Sequence, residues 1–137
     1  MDRRLFFLFT KAQKRLFRNI DAVCEDRLDA SVTQLAALMM IARQPGMQQK
    51  DLAEALELNK SAITGLVNRM EKNGLLERCA VVGDARAVSL KATSEGLEKM
   101  SQLMPLIAQM NEVFSSEFSD EEMTVVLRFL NFIIDRF

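Results

Sequence analysis

The chain has no histidine, no tyrosine and no tryptophan, and only two cysteines, two prolines and five glycines among its 137 residues. Without histidine, imidazole triads and imidazole-based pH switches have no carrier. Cys24 and Cys79 stand far apart in no metal-ligand spacing, which argues against a zinc site. A phosphate-binding glycine loop is missing, and no carboxylates cluster in an evident pocket, so an enzyme is the least supported class and no cofactor is indicated. Long apolar runs are missing too. The start, MDRRLFFLFTKAQKRLF, is basic and then briefly apolar, but Lys11, Lys14 and Arg15 arrive too soon for a signal-peptide core or a membrane span. A cytoplasmic protein without membrane contact is expected.

What is present describes a folded, mostly helical chain: 49% hydrophobic and 27% charged residues, in a length that suits one domain or one domain with an appended subdomain. A mean hydropathy of +0.01 is high for a soluble monomer and implies apolar surface covered by a partner. Net charge is only -1, yet the charges are segregated. Residues 1–20 carry a net +5, 21–57 a net -4, 58–91 a net +3 and 92–137 a net -5. The basic island at 58–91 is the kind of local footprint that an anionic partner requires.

Apolar spacing predicts a first helix over about 3–25, with Leu5, Leu8, Phe9, Ala12, Leu16, Ile20 and Val23 on one face and Lys11, Lys14, Arg15 and Arg18 on the other. "SVTQ" at Ser31–Gln34 is a capping box opening a second helix, which Pro45-Gly46 stops. A short third helix is expected over 48–56. In "LNKSAITGLVNRMEKNGLLER", Asn59 is suited to an N-cap, Leu58 and Ile63 to a hydrophobic staple, and Gly74 to a left-handed C-terminal cap. The inward stripe of this fourth helix is Ile63, Leu66, Val67 and Met70, which turns Lys60, Ser61, Thr64 and Asn68 outward. Two short helices joined around Glu57 and Leu58 make a helix-turn-helix.

Residues 78–82 and 87–91 then alternate as strands around the turn "GDAR", predicting a hairpin wing with Arg86 at its tip. Thr93 caps a long helix that contains Pro105, and a second capping box, "SDEE" at Ser119–Glu122, opens the last helix. The long helix carries two apolar stripes, and all nine phenylalanines fall near the two ends of the chain. A shared aromatic core between two subunits is the simplest use for them.

Helix-turn-helix, wing and flanking terminal helices in this order resemble the MarR family of bacterial winged helix-turn-helix transcriptional regulators. The more specific part is "NKSAITGLVNRMEKNGLLER" leading into "GDARAVSLKATSEG", which is similar to the family's recognition helix and Asp-x-Arg wing, here Asp84 and Arg86. The resemblance implies a mainly α fold with a small β-hairpin wing, divided into an N-terminal dimerisation helix (1–30), a winged helix-turn-helix DNA-binding domain (31–92) and C-terminal dimerisation helices (93–137). It also implies a homodimer that grips a palindromic operator in double-stranded DNA as a repressor and is often released by a small-molecule effector. Pocket residues for an effector are left unassigned, because the common donors Tyr, His and Trp are missing.

In that frame Ser61, Thr64 and Asn68 face base edges, Asn being suited to adenine, while Lys60 meets phosphate. A ribbon of about five residues per strand reaches roughly 16 Å, enough to carry Arg86 into an adjacent minor groove, where narrow A·T-rich sequence concentrates negative potential. Asp84 is assigned to bracing a wing arginine, Arg86 or Arg78. Arg69 has two readings, a phosphate contact or an ion pair with Glu71 or Glu77. Two rival readings of the whole chain are a winged-helix protein-interaction module and a redox-sensing regulator using Cys24. Against the latter, the tyrosines that stabilise such a thiolate in the peroxide-sensing branch are missing, and Glu25 and Asp26 oppose the cations Arg18 and Arg27.

Overall fold

A computed structural model describes residues 3–137. Six helices and one antiparallel hairpin follow in the order α1 (Leu5–Leu28), α2 (Val32–Arg43), α3 (Gln49–Ala55), α4 (Lys60–Lys72), β1 (Leu76–Val81), β2 (Asp84–Ala92), α5 (Ser94–Glu117) and α6 (Asp120–Arg136). The described chain divides into two compact units, one ending at Leu103 and the other formed by Met104–Phe137.

In the first unit the core is aliphatic and sits between α2, α3, α4 and the root of the hairpin. Leu35, Leu38, Leu52, Val67, Met70, Leu75, Leu76 and Leu90 are all buried there. The inward stripe expected for α4 is the one observed: Ile63, Leu66, Val67 and Met70 are its buried residues. The end of α1 joins this core through Cys24 and Leu28, one helical turn apart, so the helix runs three residues past its expected end. Asp29, in the left-handed conformation, then stops it by returning its N–H to the Glu25 carbonyl.

Local punctuation follows side-chain chemistry. Ser31 and Gln34 form the reciprocal capping box of α2, and the Asn59 side chain accepts from the Ala62 N–H at 2.8 Å to open α4. Gln48 is the N-cap of α3, its N–H donating to Asp51 Oδ2 at 3.0 Å, so the helix opens at Gln49, one residue after its expected start. The tight turn between α3 and α4 puts Glu57 at a positive φ of 54°. At the start of α5, Gly96 passes so close to the Leu75 carbonyl that a Cβ would stand 2.1 Å from its oxygen. Only a residue without a side chain fits there.

The strands are longer than alternation suggested and turn earlier. Leu76 pairs with Ala92 and Val81 with Asp84, leaving Val82 and Gly83 as the turn. Gly83 takes a φ of +86°, which this tight connection needs. Arg86 therefore lies not at the tip but at the start of β2, within a bulge where the register shifts between Ala80 and Val81.

In the second unit, α6 opens with the Ser119–Glu122 capping box and buries none of its residues. Val125, Leu127, Phe132 and Ile134 are 54%, 55%, 60% and 74% exposed, a wide apolar surface on a helix whose first turn is acidic. The N-terminal half of α1 is similar, with Phe6 85% and Phe7 51% exposed. Among the described residues no helix is long and apolar enough to cross a membrane.

Candidate nucleic-acid interface

Because Ile63, Leu66, Val67 and Met70 anchor α4 from within, the opposite face is presented to solvent. Lys60, Ser61, Thr64, Asn68 and Arg69 are all exposed. Beside it an open cleft of about 580 Å³ runs between α3, the start of α4 and the wing, lined among others by Lys50, Lys60, Asp84 and Arg86. Three cations against one carboxylate make this front electropositive, and the N-terminal end of α4 adds its partial positive charge. The structure thus brings Lys60 and Arg86 to one opening, although they come from different elements.

The outward polar groups are not all available in the same way. Thr64 donates its hydroxyl to the Lys60 carbonyl at 2.8 Å and accepts a long 3.4 Å bond from the Gln49 amide. Its hydroxyl is thereby engaged, and what it offers a groove is mainly its methyl group. Ser61 keeps its hydroxyl uncommitted among the described residues. Gln49 and Lys50 had gone unnoticed in the sequence, since short α3 reads as scaffold and only its packing against α4 puts them on the front.

Asp84 does act as a brace, but on the main chain: its Oδ1 accepts from the Arg86 N–H at 3.0 Å. A carboxylate that bonds two residues ahead curls the strand start, which accounts for the bulge and leaves the Arg86 guanidinium exposed. Arg78 is held instead from the helix. Its Nη1 donates to Glu71 Oε1 at 2.7 Å, its Nη2 to Asn68 Oδ1, and its own N–H to Glu71 Oε2. This takes Glu71 away from Arg69, which has no carboxylate partner among the described residues. Glu71 is thus a member of the site that helical spacing alone could not identify, because its partner arrives from a strand.

Cys24 is fully buried, and burial pushes its thiol upward from the ordinary value of 9.0, with Asp21 and Glu25 adding to the rise. A thiol so placed stays protonated near neutrality and is a poor nucleophile. The redox reading is not favoured.

A helix-turn-helix, a bulged wing and a cationic front define a winged helix-turn-helix protein. The sequence profile of the MarR family matches residues 28–87. The transcriptional regulator HosA of Escherichia coli O157:H7 is 30% identical over 110 residues, covering 80% of this chain and 82% of that protein. A transcriptional regulatory protein assigned to the hcr operon of Thauera aromatica is 32% identical over 85 residues, 62% of this chain, which spans about half (51%) of that relative's length. Among solved structures, the PcaV transcriptional regulator of Streptomyces coelicolor in complex with its natural ligand aligns at a TM-score of 0.81 and 25% identity, over 99% of this chain and 96% of that one. The chain belongs to the MarR family and is a transcriptional regulator.

Proposed function

We propose that this regulator binds a palindromic operator in double-stranded DNA as a homodimer, works as a repressor in the cytoplasm, and is released by a small-molecule effector. The observation that carries the reading is the shared front: the start of α4 and the Arg86 wing flank one cleft that Lys50 and Lys60 also line, beside the exposed polar face of α4. A helix with short polar side chains suits the major groove, and phosphates suit the lysines at its start. Arg86, exposed and without a side-chain partner among the described residues, suits the neighbouring minor groove.

Residues 31–92 are assigned to DNA binding, and 1–30 and 93–137 to dimerisation. The bare phenylalanines of α1 and the uncovered apolar face of α6 support that division, since surfaces of this kind on a chain of near-zero mean hydropathy call for a partner. Effector release is the expectation supported by likeness to a regulator solved with its natural ligand.

Selection from a randomised duplex pool tests the reading. A motif with two inverted half-sites about 10 base pairs apart, centre to centre, is expected. Folded protein that enriches no sequence, and whose DNA affinity barely changes with salt, would point instead to a protein-interaction module.

A further inference from the structure

The geometry assigns to Asn68 and Arg78 a joint role in specificity: together they present an amide donor beside a cation and read guanine where Asn68 alone would read adenine. The inference rests on the DNA-binding reading above. An unconstrained asparagine suits adenine because its amide oxygen accepts from N6 while its amide nitrogen donates to N7. Here the oxygen is already committed. A guanidinium has no acceptor, so the amide atom facing Arg78 Nη2 must be Oδ1, and the amide nitrogen is left as the outward-acting group.

The commitment is reinforced from behind. Glu71 uses both carboxylate oxygens on Arg78, one for the guanidinium at 2.7 Å and one for the backbone N–H at 3.3 Å. Arg78 is half-buried at the root of β1, so its fork is held in place rather than sampling solvent. Charge-assisted bonds of this kind are stronger than neutral ones, and breaking one to free the amide opposes adenine binding. Asn68 Oδ1 retains a second lone pair, but a cation sits beside it. That charge repels the N6 amino group of adenine and attracts O6 of guanine, whose N7 and O6 are adjacent acceptors. Arg78 is in this sense a positioning residue, acting through Asn68.

The test is parallel selection from one randomised duplex pool with the wild type, Asn68→Asp and Arg78→Met, each first shown to be folded by far-UV circular dichroism. Asn68→Asp still accepts from Arg78 but no longer donates. One guanine in each half-site should lose its preference by about fivefold or more, with the other positions unchanged. Arg78→Met frees the amide, and the same position should switch from guanine to adenine. A role for Arg78 that is only structural would lower affinity for all sequences and switch none. A wild-type motif that keeps every base preference in Asn68→Asp overturns the inference, as does one in which the Asn68-dependent position is already adenine. Should Arg78→Met not fold, Asn68→Asp decides alone. Failure of the wild type to select any motif is a separate outcome, and it overturns the DNA-binding reading itself.

Discussion

Replacing Arg86 by alanine separates binding from folding cleanly, because the guanidinium makes no hydrogen bond or ion pair among the described residues. The contact that shapes its neighbourhood, from its N–H to Asp84, belongs to the backbone and survives the substitution. An exposed side chain without partners contributes within about 0.5 kcal/mol to stability, so the melting temperature should barely move. The loss falls on the complex. One arginine contact to DNA is worth about 1–3 kcal/mol, and a symmetric dimer has two wings. Operator binding should therefore weaken by about 2–6 kcal/mol, or between about 30-fold and about 2 × 10⁴-fold in Kd. Fluorescence anisotropy with the selected duplex, at a fixed salt concentration, measures this directly. A change below about threefold in folded, dimeric protein would refute the placement of Arg86 in the groove.

Asp84→Ala removes the acceptor that shapes the bulge and should weaken binding by about 0.5–1.5 kcal/mol per wing, whereas Asp84→Asn, which keeps an acceptor oxygen, should retain affinity in the same titration. Gly96→Ala drives a Cβ against the Leu75 carbonyl, a backbone atom that cannot step aside, and should lower stability by about 1–3 kcal/mol in urea unfolding; an unshifted midpoint would contradict the close approach. For Cys24 the folded thiol titrates above its unfolded value, so its contribution is intact below the ordinary 9.0 and is lost as pH climbs through the raised value. Wild-type stability should accordingly fall in that alkaline window more steeply than that of Cys24→Ala, and parallel curves would count against burial of the thiol. In native protein at neutral pH, alkylation of Cys24 should be slow until the chain unfolds.

The elements legible in the sequence were those with strong local chemistry. Ser31, Asn59 and Ser119 each cap the helix they were expected to cap, and the four-residue stripe of α4 is buried as its spacing required. What escaped depended on partners distant in sequence. The hairpin turns at Val82-Gly83 on the positive φ of Gly83 and bulges where Asp84 engages the Arg86 N–H, and alternation of apolar residues does not reveal that bond. α1 continues to Leu28 because that residue packs into a core built by later helices. Likewise the pairing of Glu71 with Arg78 rather than Arg69 follows from the register of β1 against α4, and that register is a tertiary fact. The composition of the front was readable; which of its hydrogen bonds are already spent was not.

Hydroxyl-radical footprinting of the selected duplex tests the central claim most directly, since the radical attacks sugars lining the minor groove. The account predicts two protected patches, related by the two-fold axis of the motif and lying outside its half-sites, with both lost in Arg86→Ala while the half-sites remain bound at higher protein concentration. Protection confined to one side of the motif, or outer patches that persist without the arginine, would contradict a symmetric dimer reading DNA through helix and wing.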